Sequence, residues 1–151
     1  MASTAVQDAI PHNHCWGCGT LNPNGLHIKS YVEGEETVCR FQPRPEHSAG
    51  ETHVVNGGII AALVDCHGVC TAVADAYRVA GRELGSDPLL WHVTGALHVD
   101  YLLPTPIDRP IVVRARVVER KGRKRIVVCS VRSDELETAR GQVVAIAVPA
   151  A

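Results

Sequence analysis

Aromatic side chains are scarce in this chain: two tryptophans, three tyrosines and one phenylalanine, 4% of 151 residues. So few rings leave little from which to build the stacking platforms that hold single-stranded nucleic acid. Charge of one sign is not in excess either, with 15 Lys+Arg against 16 Asp+Glu. The whole molecule therefore carries no electrostatic footprint for nucleic acid or for an anionic membrane surface. The apolar runs are short and interrupted, which argues against a segment crossing a bilayer. The first ten residues, M-A-S-T-A-V-Q-D-A-I, lack the basic head and apolar middle of a secretory signal. No internal repeat or low-complexity tract is present. What remains, at 46% hydrophobic and 21% charged, is the composition of a globular domain, with residues 1–11 read as a disordered lead and 12–151 as one domain.

Six cysteines are present, at positions 15, 18, 39, 66, 70 and 129. Cys39, Cys70 and Cys129 lie in apolar or alternating stretches, the habit of reduced, buried thiols in a cytoplasmic protein. Residues 12 to 27 read H-N-H-C-W-G-C-G-T-L-N-P-N-G-L-H. His12, His14, Cys15 and Cys18 have the spacing of a four-ligand zinc set, and C-W-G-C also fits a redox dithiol. A second distant CxxC pair and a following βαβ unit are both missing, so a compact turn-rich loop closed by N-P-N-G is the favoured reading. No metal is assigned.

The most informative stretch runs from Asn56 to Tyr77, N-G-G-I-I-A-A-L-V-D-C-H-G-V-C-T-A-V-A-D-A-Y. Asn56 is a good N-cap, and beyond it the pattern is apolar on every side, so the helix should be surrounded by protein. Within it stands one carboxylate, Asp65, which must be partnered or used. Gly57 and Gly58 are poor helix formers and gain most where something approaches the backbone closely. Their free N–H groups at the positive end of the helix dipole suit an oxyanion. The plain alternatives are an ordinary cap and tight packing of helix on loop.

Around this helix the chain reads as strands. Leu26 to Val32 and Glu36 to Gln42 alternate about Glu33-Gly34-Glu35, a hairpin signal. Pro43 to His53 is a loop carrying His47 and His53, and loops often carry function. The helix should end between Tyr77 and Gly85. Four strands follow, at Trp91 to Leu103, Pro110 to Glu119, Arg125 to Ser133 and Thr138 to Val148. A basic turn, Arg120-Lys121-Gly122-Arg123-Lys124, joins two of them. Short connections favour antiparallel pairing, so the fold class is α+β, one long helix against a curved antiparallel sheet of about six strands.

Asp65 lies eight residues after Gly57, a rise of roughly 12 Å. One carbonyl cannot touch both groups of one chain. Serving one reaction, they must come from two subunits of a symmetric homodimer.

N-G-G-I-I-A-A-L-V-D resembles the H-G-G-x-x-x-x-x-x-D signature of hotdog-fold acyl-CoA thioesterases, in the PaaI-like branch of the 4-hydroxybenzoyl-CoA thioesterase superfamily. C-W-G-C-G-T-L-N-P-N-G-L and V-T-G-A-L-H-V-D-Y-L-L-P-T-P are similar to further segments of that branch, and the likeness spans about residues 14 to 148. The resemblance implies hydrolysis of an acyl-CoA to a carboxylic acid and free CoA. The Gly57 N–H would polarise the thioester carbonyl, Asp65 would act as nucleophile or general base, and Thr94 would help to place water. It also implies a homodimer, as a dimer of dimers, and no cofactor, since CoA is part of the substrate. Gly58 and His53 become substrate contacts, and Arg120, Lys121, Arg123 and Lys124 candidates for the CoA phosphates.

Two departures stand out. Asn56 replaces the usual histidine; it can still cap or donate a hydrogen bond, and so stays among the catalytic candidates with Asp65, Gly57 and Thr94, but it cannot titrate. Leu103 replaces a basic residue common after Y-L. Two other functions stay open. One is a hotdog hydratase or dehydratase, which needs His53 or His67 beside the acid. The other is a non-catalytic protein that binds an acyl or aromatic ligand. His67 itself reads as a packed interface histidine.

Overall fold

The computed structural model describes residues 3–149. Its elements are α1 (Val6–Ala9), β1 (Tyr31–Glu33), β2 (Glu36–Phe41), a single 3₁₀ turn (Pro45–His47), α2 (Gly57–Val79), β3 (Trp91–Tyr101), β4 (Ile111–Lys121), β5 (Lys124–Ser133) and β6 (Leu136–Val148). The six strands form one sheet in the order β1-β2-β4-β5-β6-β3, with antiparallel neighbours throughout. Two-residue turns join β1 to β2, β4 to β5 and β5 to β6. Each places a positive φ at its first residue, Gly34, Gly122 or Asp134, the geometry that matches strand twist in tight hairpins. β3 leaves the helix and pairs with β6 at the far side, so it is an edge strand. The hotdog fold expected from the sequence is the fold observed.

Helix α2 lies on the concave side of the sheet. Leu63, Val64, Val73 and Tyr77 are buried against Ile111, Val113, Val127, Val131, Val143 and Ala145. Two glycines set how closely helix and sheet approach. A Cβ on Gly68 would stand 2.5 Å from Val143, and one on Gly141 2.2 Å from Val64, distances at which a side chain cannot be accommodated without repacking. At 23 residues, α2 is by length and composition long and apolar enough to cross a bilayer. The expectation of runs too short for that is corrected. Its apolarity is taken up instead by the sheet, with 72% of the apolar window buried in the protein.

Three expectations are corrected near the N-terminus. Residues 1–11 do not form a disordered lead over their described part. Val6 and Gln7 are fully buried, the Val6 N–H donates to the Ser30 carbonyl at 2.8 Å, and Gln7 exchanges hydrogen bonds with Ser30. Gln7 is a core polar residue that looks like a surface one in the sequence. Met1, Ala2, Ala150 and Ala151 lie outside the described residues. The strand expected at Leu26 to Val32 is shorter, because the N–H groups of Leu26 and Ile28 donate to the carbonyls of Trp16 and Gly17 instead of to a neighbouring strand. His67 is not an interface residue. It is fully buried, and because the Thr37 carbonyl can only accept, Nε2 carries the proton and Nδ1 accepts from the Ser30 hydroxyl at 2.7 Å.

At the other end of α2, Asp75 is 8% exposed and receives Arg78, Arg120 and Arg125. Burial alone would raise its carboxyl, but the three guanidiniums override that and hold it far below the usual carboxylate range. Arg125 also faces His92, whose Nε2 accepts from Nη1 at 3.3 Å, while Nδ1 has no partner among the described residues. Burial first, then the Arg125 charge, push His92 from its ordinary 6.5 to about 4, against the opposing pull of Asp75.

The unfolded chain therefore takes up this proton below pH 6.5 while the folded chain refuses it until about pH 4. Stability should fall as pH drops through that window, by up to about 3 kcal/mol from this group. Urea unfolding at pH 7, 6 and 5 measures the slope. His92→Gln keeps an acceptor for Arg125 without titrating, and should flatten the slope by about one proton.

Candidate active site

Asn56 caps α2 as expected. Its Oδ1 accepts from the Gly58 N–H at 2.7 Å. The Gly57 N–H, one of the unpaired donors of a helix start, has no acceptor among the described residues. The Gly57 carbonyl accepts from the Tyr101 hydroxyl at 2.6 Å, and that ring sits 3.5 Å from where a Gly57 Cβ would be. Tyr101 thus braces the helix start, a role the sequence reading missed because nothing in spacing links residue 57 to residue 101.

Asp65 is not enclosed. Gly58, Ala61, Ala62 and Asp65 form a partly exposed stripe on the first half of α2, at the i, i+3, i+4 and i+7 positions of one helix face. The helix expected to be surrounded by protein is left uncovered there by its own chain. Small residues kept the stripe from looking like a surface. Asp65 Oδ1 accepts from Thr94 Oγ1 at 2.5 Å, which leaves Oδ2 for another partner.

Thr94 reaches Asp65 through an irregularity in β3. Pairing with β6 runs Thr94↔Ala145 and then Ala96↔Val144, leaving Gly95 as an extra residue. Beyond it, Leu97, Val99 and Tyr101 lie opposite Val143, Gly141 and Ala139. Residues three apart on a regular strand face opposite ways, but the bulge puts Thr94 and Leu97 on the same, helix-side face. An isolated glycine inside a strand pattern is the signal that could have revealed it.

The surface beside Asp65 is apolar and is not covered by any of the described residues. β3 is an edge strand, and Val93, Leu97, Tyr101, Leu102 and Leu103 on or just after it are all more than 40% exposed. Gly57 stands by Tyr101 and Asp65 by Thr94, towards opposite ends of the strand. The two groups are not brought together within one chain.

The remaining candidates divide. His53 is exposed on the loop before the helix, its carbonyl accepting from the Ile107 N–H. His47 is buried, stacked on Phe41 and bonded to the Arg44 N–H, which is a structural role. Arg120 is committed to Asp75. Lys121, Arg123 and Lys124 are exposed and, with Ile146, line a shallow cavity of about 280 Å³. A larger cavity, about 930 Å³ and mainly apolar, lies between the N-terminal segment and the 87–91 connection, where Ile10, His12, Leu89 and Trp91 line it. Trp91 is three residues along β3 from Thr94, about 10 Å.

A single curved sheet around one long helix, with an acid on that helix facing an edge strand, defines a hotdog-fold protein. A thioesterase superfamily protein from Shewanella loihica PV-4 is 34% identical, with a TM-score of 0.69 over 91% of this chain and 96% of that one. The chain belongs to the thioesterase superfamily. The PaaI protein of the E. coli phenylacetic acid degradation operon shares the fold at 13% identity, with a TM-score of 0.66 over 83% and 82% of the two chains. So does a mutant thioesterase from Pseudomonas aeruginosa at 14% identity, with a TM-score of 0.65 over 82% and 83%. No family model matches the chain, and no curated protein does.

Proposed function

We propose that the protein is an acyl-CoA thioesterase of the PaaI-like branch, active as a homodimer whose two sites each combine residues of both copies. The observation that carries this reading is the Asp65–Thr94 pair, half-open on an apolar surface, with an unbonded Gly57 amide on the same helix. A second copy covering β3 would bury that surface and bring its own helix start towards Asp65. The thioester oxygen then accepts from the partner's Gly57 N–H, which stabilises the charge that develops there. Thr94 holds Oδ1 of Asp65, and Oδ2 does the chemistry.

Acting as base, Oδ2 takes a proton from water, and the hydroxide adds to the carbonyl carbon. The C–S bond breaks, and the CoA thiolate leaves and is protonated. Acting as nucleophile, Oδ2 itself expels the thiolate, and water hydrolyses the resulting anhydride. Neither route calls for a cofactor. Lys121, Arg123 and Lys124 are offered as contacts for CoA phosphates, with Arg120 positioned by Asp75. The apolar cavity beside Trp91 is offered as room for part of the substrate, and the cytoplasm as the compartment.

The hydratase alternative loses one of its two candidate histidines, because His67 is sealed in its own network with Ser30 and Thr37, and it then rests on His53 alone. The test is a panel of acyl-CoAs mixed with the protein and a chromogenic thiol reagent. Catalytic release of free CoA is expected. Saturable binding without release would instead favour the non-catalytic ligand-binding protein.

A further inference from the structure

The N-terminal CxxC does not stand alone. The loop that carries it folds back on α2, so that the sulphurs of Cys15, Cys18 and Cys66 all lie within 4.8 Å of one another. Cys15 Sγ and Cys66 Sγ are 3.7 Å apart. Four thiolates at the usual zinc–sulphur bond length of about 2.3 Å put neighbouring sulphurs about 3.8 Å apart at the corners of a tetrahedron. Cys70, buried one helical turn beyond Cys66 on the same helix face, lies outside that group of three, and is the nearest thiol in the helix to complete it by a shift of its side chain. Ligands four apart on one helix face can share a metal, as the H-x₃-H spacing of zinc fingers does. His12 and His14, which the local spacing offered as ligands, are exposed and are not members of this cluster.

We infer that Cys15, Cys18, Cys66 and Cys70 bind one structural Zn²⁺, which fastens the N-terminal loop to the central helix beside Asp65.

Three further features fit. The Asn13 side chain braces the C-x-x-C turn, its Oδ1 accepting from the Cys15 N–H at 3.0 Å. Gly17 has room only for hydrogen, since a Cβ there would meet Cys66 Sγ at 2.3 Å. Asn13 also donates through Nδ2 to Cys18 Sγ at 3.7 Å, which fixes that sulphur towards the cluster. Binding Zn²⁺ releases the remaining thiol protons and leaves a tetrathiolate site. Soft thiolates in tetrahedral array favour zinc among the common divalent ions.

The test uses the full chain purified from zinc-supplied cells. Elemental analysis should give one zinc per chain, and exchange for Co²⁺ should give the strong sulphur-to-cobalt charge transfer of a tetrahedral thiolate site. Cys18→Ser and Cys66→Ser should lose the metal, while Cys39→Ser and Cys129→Ser, buried outside the cluster, keep it. Because the first pair could fail to fold, the wild type is also stripped with a strong chelator. Its Tm should fall by about 5 °C or more and return when zinc alone is added. A metal-free protein with six titratable thiols would overturn the inference. So would a disulfide joining Cys15 to Cys18 or Cys66, or iron or copper in place of zinc. None of these results bears on thioester hydrolysis, which is read from CoA release.

Discussion

Asp65→Asn should lower turnover by about 10²–10⁴-fold, the range that removal of a positioned acid–base group produces, with the melting temperature almost unchanged. The asparagine keeps Oδ1 in place, so the hydrogen bond from Thr94 survives. It removes only the negative charge and the basic or nucleophilic lone pair at the second position. Because Asp65 is half-exposed in the single chain, the substitution disturbs little of the core. Thr94→Val tests the supporting contact. Losing a hydrogen bond to a charged group is worth about 1.5–3 kcal/mol, or ten- to a hundredfold in kcat, and less than the loss of Asp65 itself. Rapid quench of a wild-type single turnover separates the two chemistries, since an acyl group trapped on Asp65 marks the nucleophile. Hydrolysis that persists unchanged in Asp65→Asn would take this residue out of the reaction.

The parts of the molecule that could be read in advance are those where one physical rule dominates. The long apolar run with an Asn-Gly-Gly head specifies α2 and its cap, because propensity, capping and patterning agree there. The hairpins from β4 to β6 follow from alternation broken by turn residues. The parts that could not be read depend on contacts between distant residues. Gln7 is polar, yet it is buried because Ser30 satisfies it. The bulge at Gly95 re-aims Thr94 through pairing with β6, which no local pattern contains. Cys66 and Cys70 look like ordinary core thiols until the loop at Cys15 folds onto them. Arg120 reads as a phosphate ligand in a basic turn, whereas Asp75, 45 residues away, holds it.

The same distinction governs the candidate site. Asp65 and Gly57 were legible as chemistry, because an acid in an apolar helix and two glycines at its start are both locally costly. Their spacing along one helix also excludes a site within one chain. What the sequence left open was the surface that a second copy would cover. In the structure that surface is an edge strand whose helix-side face carries exposed Leu97 next to Thr94 and Asp65 and runs on to exposed Tyr101 at the Gly57 end. Unpaired edges of this kind are normally blunted or covered.

Mixing two inactive variants should restore activity, and this is the sharpest consequence of a site shared between copies. The first variant is Asp65→Asn. The second is Gly57→Pro, which deletes the proposed oxyanion donor at the one helical position where proline is well tolerated. The residue before it, Asn56, already has φ −57° and ψ 134°, the extended conformation a following proline requires. An added Cβ at position 57 meets only Tyr101, at an ordinary 3.5 Å. Each homodimer lacks one group at both of its sites. A mixed dimer has one dead site, where the two substituted positions face each other, and one intact site, with Gly57 of one copy facing Asp65 of the other. If subunits exchange randomly, half the dimers are mixed and each has one working site, so an equimolar mixture should recover about a quarter of the wild-type rate. Recovery should appear only after unfolding and refolding together, or after slow exchange, and should be lost when the two are refolded apart. A mixture as inactive as its parts, with mixed dimers demonstrated by mass spectrometry, would mean that Gly57 and Asp65 do not meet across the interface.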